Sequence, residues 1–211
     1  MKVDVSYLSS KDDTLTTIEK INNSNADFIH CDLMDGKYVK GKNINPFKLR
    51  KTLLACKKPL EIHLMVSNPI HYLRYFKDLN IRVIYIHFGH YFLYDLSKLL
   101  KKGYRVGLAI NPDEDLKMIE PYTKYVDKVL VMCVKPGKGG QKFIPETLER
   151  LRTLNSYRLN ENLVFNIEVD GGINPDTLKP IRKHIDDIAV GSYVCESKDY
   201  DEQIKNLKKI K

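Results

Sequence analysis

Short apolar runs and longer amphipathic runs alternate from one end of the chain to the other, eight of each. The short runs are VDVSYL from Val3, DFIHCDLM from Asp27, LEIHLMV from Leu60, VIYIHF from Val83, RVGLAI from Arg105, KVLVMCV from Lys128, VFNIEVD from Val164 and DIAVG from Asp187. They are rich in Val and Ile, which predicts strands buried on both faces of a parallel sheet. The amphipathic runs carry helix punctuation. Asp12 and Asp13 precede a helix through about Asn22, Gly103 closes LSKLLKKG as a C-terminal cap, and Pro145 and Pro175 suit first turns. Eight βα units in 211 residues predict an α/β protein, a small (β/α)8 TIM barrel, because eight tilted parallel strands close on themselves and leave no edge. A doubly wound open sheet is the alternative. It usually carries GxGxxG after its first strand, where this chain reads SSKDD. No linker or shift in composition divides the chain, so residues 1–211 are expected to form a single catalytic domain.

Composition narrows the class. Hydrophobic residues at 43% and charged residues at 29% are globular values, and no apolar run approaches the roughly 18 residues that would cross a membrane. Cys31, Cys56, Cys133 and Cys195 form no CxxC pair, which suits thiols in a reducing compartment better than a disulfide framework or zinc ribbon. The start, MKVDVSYLSSKDD, has no signal-peptide apolar stretch, so a cytoplasmic location is expected. Lys and Arg number 35 against 27 Asp and Glu, a net charge of +8. That excess permits a polyanion or a small anionic substrate. KNLKKIK and KLLKKG read as solvated helix faces without interleaved aromatic residues, so no nucleic-acid partner is expected.

In a TIM barrel the chemistry lies at the C-terminal ends of the strands. The second strand run places His30, Asp32 and Met34 on one face by its period of two, the third places His63 and Met65 together, and the seventh ends Glu168-Val169-Asp170-Gly171-Gly172. Each polar residue alone has an ordinary explanation, a satisfied core histidine or a turn-forming Asp. Their convergence in one barrel mouth does not, because burying such groups unpaired costs several kcal/mol. One divalent metal ion offsets that cost. Two imidazoles and two carboxylates suit Zn²⁺, or Fe²⁺, Mn²⁺ or Co²⁺ with positions left open. Glycines form a second theme: Lys135-Pro136-Gly137-Lys138-Gly139-Gly140-Gln141 follows the sixth strand, Gly171-Gly172 the seventh and Gly191-Ser192 the eighth. Exposed backbone N–H groups in such loops form anion sites, and a phosphate site after strands seven and eight recurs in barrels.

These residues resemble the ribulose-phosphate 3-epimerase family. The resemblance rests on His30-Cys31-Asp32-Leu33-Met34-Asp35-Gly36, His63-Leu64-Met65-Val66 followed by Pro69, Val131-Met132 leading into Pro136-Gly137, Gly139-Gly140-Gln141 and Phe143, Glu168-Val169-Asp170-Gly171-Gly172-Ile173-Asn174 and Gly191-Ser192. They run in family order from Ser6-Tyr7-Leu8-Ser9 to the last strand. The resemblance implies inversion at C3 of a ketopentose phosphate, ribulose 5-phosphate to xylulose 5-phosphate, with Asp32 and Asp170 as the two acid/base carboxylates on opposite sides of C3. It implies His30, Asp32, His63 and Asp170 as ligands of one divalent metal, and Ser6, His63, Met34, Met65 and Met132 around the substrate. Gly137, Lys138, Gly139, Gly140, Gly171, Gly172, Gly191 and Ser192 are then the phosphate site, the partner is a small-molecule sugar phosphate, and a homo-oligomer is expected. A proton beside a carbonyl is too weak an acid for a bare carboxylate, so the enediolate needs electrostatic stabilisation as it forms.

The chain departs from the family pattern at Lys135 and Lys138, at Tyr38-Val39-Lys40-Gly41, at His87-Phe88-Gly89-His90 and at Val5. None is a proposed ligand. They bear on substrate length, so a hexulose-6-phosphate 3-epimerase acting on allulose 6-phosphate is the alternative enzyme, and a non-catalytic phosphosugar-binding barrel is the alternative from another class. A decarboxylase of the Asp-x-Lys-x-x-Asp kind fits less well, since Asp32 replaces the lysine. A Schiff-base aldolase needs an inward strand lysine. Lys128 and Lys135 read as flanking the sixth strand.

Overall fold

The computed structural model describes residues 1–89 and 92–211, so His90 lies outside the described residues. Eight strands, β1 (Lys2–Ser6), β2 (Phe28–Met34), β3 (Leu60–Met65), β4 (Ile81–His87), β5 (Val106–Ile110), β6 (Lys128–Met132), β7 (Asn166–Asp170) and β8 (Asp187–Val190), pair in parallel in chain order, and β8 returns to β1. The barrel is closed. Its register sets Asp32 opposite His63 across β2 and β3, and Met132 opposite Asp170 across β6 and β7.

Period two splits each strand between two packing regions. Val5, Ile29, Cys31, Leu33, Ile62, Leu64, Val129, Val131, Ile167 and Val169 face outward into a layer shared with helix residues such as Leu53, Leu99, Leu151, Leu178 and Ile204. Inside, a smaller apolar cluster of Val83, Tyr85, Ala109, Leu130, Met132 and Val134 fills one side of the barrel. Elsewhere the interior holds buried polar and charged groups, among them Asp4, His30, Asp32, Glu61, His63, Lys128 and Glu168, which are costly to bury unless paired.

The helices are α1 (Thr14–Asn22), α2 (Pro46–Ala55), α3 (Pro69–Tyr72), α4 (Phe92–Lys101), α5 (Thr147–Asn160), α6 (Pro175–Ile181), α7 (Ser192–Cys195) and α8 (Tyr200–Lys208). Asp13 caps α1 by accepting from the Leu15 and Thr16 backbone, Gly103 follows α4 at φ +78°, and Pro175 opens α6. Two expectations need correction. After β5 the chain makes 3₁₀ turns at Leu116–Met118 and Glu120–Tyr125 in place of an α-helix, because Pro121 interrupts a segment too short to restart one. Pro145 stands before Glu146, the N-cap of α5, and not in the first turn. The basic C-terminal run belongs to α8, whose Ile204 and Leu207 are buried while Lys208 pairs with Asp27 at 2.7 Å. All four cysteines are free thiols, and Cys31, Cys133 and Cys195 are buried. Among the described residues no helix is long and apolar enough to cross a membrane.

Candidate active site and metal centre

Four of the residues singled out by sequence meet at the C-terminal mouth of the barrel. One ligand atom from each of His30, Asp32, His63 and Asp170 lies within 4.8 Å of the others. The pleat of β2 directs His30 and Asp32 inward, β3 brings His63 alongside, and Asp170 is the last residue of β7. Asp32 Oδ1 lies 2.8 Å from His63 Nδ1 and 3.4 Å from His30 Nε2, and His63 Nδ1 lies 3.9 Å from Asp170 Oδ2. The Ser6 hydroxyl donates to Asp32 Oδ2 at 2.6 Å. His30 is fully buried, and neither ring nitrogen has a hydrogen-bond partner among the described residues. A buried imidazole left in this state beside two carboxylates fits a divalent cation, with an N₂O₂ donor set suited to Zn²⁺ and related ions.

The two carboxylates are held in different states. Burial opposes ionisation of Asp32, but His30 and His63 outweigh it and keep its pKa well below the ordinary range. Burial and then the Asp32 charge push Asp170 up to about 6. Burial disfavours a charged His30, yet Asp32 first and then Glu168 and Asp170 raise its pKa above the ordinary histidine value. Like-charged neighbours whose pKa values are driven apart are the arrangement of an acid and base pair.

Beside these groups a cavity is lined by Ser6, Asp32, Met65, Met132, Asp170 and the loops after β6, β7 and β8, with Gly137, Lys138, Gly139, Gly140, Gly171, Gly172, Gly191 and Ser192 all in its wall. The Gln141 amide donates to the Lys135 and Lys138 carbonyls at 2.6 and 2.9 Å and closes the β6 loop. Gly172 sits at φ +66°, and a Cβ there would lie 2.4 Å from the Phe143 backbone nitrogen, so only glycine lets the two loops meet. Met34 is buried against Gly41. Lys135 lines a neighbouring cleft with Tyr38 and Lys40.

Several residues of the interior were given no role in the site by sequence. His87, the last residue of β4, stacks on His63 at 5.0 Å between centroids, with the two Nε2 atoms 2.8 Å apart. Burial, then the neighbouring His63, lowers its pKa well below the ordinary value, so it is neutral and able to accept. Below His30 lies a layer of charge. Lys128 is the first residue of β6 and points into the barrel, only 3% exposed, in contrast to the flanking position expected of it. Its ammonium lies 2.8 Å from Glu61, 2.7 Å from Glu168 and 2.7 Å from Asp187. The Tyr85 hydroxyl donates to Glu168 Oε2 at 2.5 Å and lies 2.9 Å from Glu61 Oε2. Burial and the Glu168 charge push Glu61 up to about 8, whereas Lys128 overcomes burial to keep Glu168 ionised. Period-two alternation from His87 back to Tyr85 was the signal available for those two.

A family model described as the ribulose-phosphate 3 epimerase family matches residues 2–195. The chain is 35% identical over 188 residues to the ribulose-phosphate 3-epimerase of Aquifex aeolicus, covering 88% of this chain and 85% of that one. It is 34% identical to the enzyme of the same name from Helicobacter pylori (strain J99), covering 100% of this chain and 98% of the relative. Among solved structures, 3-hexulose-6-phosphate synthase from Salmonella typhimurium superposes with a TM-score of 0.68 at 16% identity, covering 100% and 98% of the two chains, a likeness of fold.

Proposed function

The chain belongs to the ribulose-phosphate 3-epimerase family, and from that premise we propose that it is a metal-dependent C3 epimerase interconverting ribulose 5-phosphate and xylulose 5-phosphate. The observation that carries this reading is the meeting of Asp32 and Asp170 with His30 and His63 beside a cavity walled by three glycine-bearing loops. His30, Asp32, His63 and Asp170 would hold one divalent cation, with His63 offering Nδ1 while its Nε2 donates to a neutral His87. When bound, the cation supplies Lewis-acid stabilisation for the negative charge that develops on the substrate oxygens.

Epimerisation needs a base on one face of C3 and an acid on the other. One of Asp32 and Asp170 removes the C3 proton as a carboxylate, and the other returns a proton to the opposite face as a carboxylic acid; the reverse reaction exchanges the roles. The Ser6 hydroxyl fixes the Asp32 carboxylate by its hydrogen bond. Met65 and Met132, buried in the cavity wall, exclude water without offering competing hydrogen bonds to the intermediate. Backbone N–H groups of the β6, β7 and β8 loops receive the phosphate, and Lys138 adds a positive charge at the rim.

Rates on ribulose 5-phosphate and allulose 6-phosphate, measured side by side with Zn²⁺, Mn²⁺ or Co²⁺ added, test this. The pentulose phosphate is expected to have the higher kcat/KM. A higher value for the hexulose phosphate would reassign the substrate, and no turnover of either with any of the ions would contradict an epimerase.

A further inference from the structure

We propose that Lys128 and Tyr85 are positioning residues that act through Glu168 to orient His30 for cation binding. The inference rests on the metal reading above. His30 Nδ1 and Glu168 Oε1 face each other at 3.6 Å, and neither atom has a hydrogen-bond partner among the described residues. The opposite ring nitrogen, Nε2, is the one turned toward Asp32. A ligating histidine is usually steered by a carboxylate at its other nitrogen, which fixes both the ring plane and the tautomer. Glu168 stands where that carboxylate is needed.

What holds Glu168 is the layer beneath it. Its other oxygen, Oε2, receives both the Lys128 ammonium at 2.7 Å and the Tyr85 hydroxyl at 2.5 Å, leaving Oε1 for His30. The ammonium also engages Glu61 and Asp187, so it is anchored from β3 and β8 as well as β7. Tyr85 is fully buried, and the backbone makes room for it: a Cβ on Gly107 of β5 would lie 2.1 Å from its ring. His30, Glu61 and Glu168 together form a second group with the composition of a cation site. The Lys128 ammonium, in contact with Glu61 and Glu168, already supplies a cation there, so this group serves the upper site and does not compete with it.

The test is titration of the metal-free protein with Co²⁺, whose visible absorption reports both affinity and ligand geometry, on wild type, Tyr85→Phe, Lys128→Met, Glu168→Gln and the doubles that combine Glu168→Gln with each of the other two. Each single variant is expected to weaken Co²⁺ binding by about 10-fold or more and to alter the spectrum. In the Glu168→Gln background the second substitution is expected to change affinity less than about twofold, because both act through Glu168. Should Lys128→Met fail to fold, Tyr85→Phe and Glu168→Gln carry the comparison. Wild-type affinity in folded Tyr85→Phe and Glu168→Gln would overturn the proposal, as would full additivity in the doubles. Absence of Co²⁺ binding by the wild type would instead overturn the metal reading on which it rests.

Discussion

At the residue scale the site depends on keeping two neighbouring carboxylates unlike each other. Asp32→Asn and Asp170→Asn each remove one partner of the proposed proton transfer while preserving shape, so each is expected to lower kcat by about 10²–10⁴-fold with the fold retained, read by steady-state kinetics alongside circular dichroism. The cation competes with protons for the same atoms. In the metal-free protein Asp170 holds its proton up to a pH of about 6, and His30 is also raised, so protons must leave before the cation enters. Affinity for Co²⁺ is therefore expected to weaken as pH falls from 7 to 5 and to keep rising above the Asp170 transition while His30 still carries its proton, with proton release detectable in weakly buffered titrations. His30, Asp32, His63 and Asp170 were legible in the sequence because period two within a strand and the strand-end rule together point them into one mouth. Lys128 was not. A lysine at the first position of a strand reads as a solvated flank, and only the closed register, which surrounds it with Glu61, Glu168 and Asp187, turns it inward.

At the element scale the loops, more than the strands, decide what the barrel binds. The β7 loop is braced by the start of α6, where Asn174 accepts from the Asp176 and Thr177 backbone and the Thr177 hydroxyl donates to the Gly172 carbonyl at 2.9 Å. Asn174→Ala is expected to cost about 1 kcal/mol in urea unfolding, the usual loss of an N-cap, and to raise KM more than it lowers kcat, since the loop it braces belongs to the proposed phosphate wall. Strand positions followed from Val- and Ile-rich runs to within a few residues. The connection after β5 did not, because Pro121 turns what reads as an amphipathic run into successive 3₁₀ turns. The loop after β2 shows the same limit: the approach of Gly41 to Met34 and to the Gly137 carbonyl depends on segments far apart in sequence.

At the scale of the whole molecule, closure of eight parallel strands leaves an interior too polar to be explained by packing alone. Glu61, Glu168 and Asp187 crowd the buried Lys128 ammonium below, with Asp4 adding negative charge, while His30, His63, Asp32 and Asp170 converge above. A ligand that binds only the folded state stabilises it by mass action. Zn²⁺ at about 100 times its Kd is expected to add roughly 2.7 kcal/mol, which raises Tm by about 5–10 °C in a chain of this size, and chelation should reverse it. The net charge of +8 acquires a partial role here, since Lys138 stands at the cavity rim, while much of the remaining excess lies on solvated helix surfaces such as α8.

The most direct measurement of the central claim is incubation of the metal-loaded protein with ribulose 5-phosphate in D₂O, followed by NMR of the C3 position. Proton transfer between two carboxylates on opposite faces predicts xylulose 5-phosphate carrying deuterium at C3, formed by the wild type and lost in Asp32→Asn, Asp170→Asn and the chelated protein. Xylulose 5-phosphate that retains the original C3 proton in every turnover, or a ribulose 5-phosphate pool that neither epimerises nor exchanges, would contradict it.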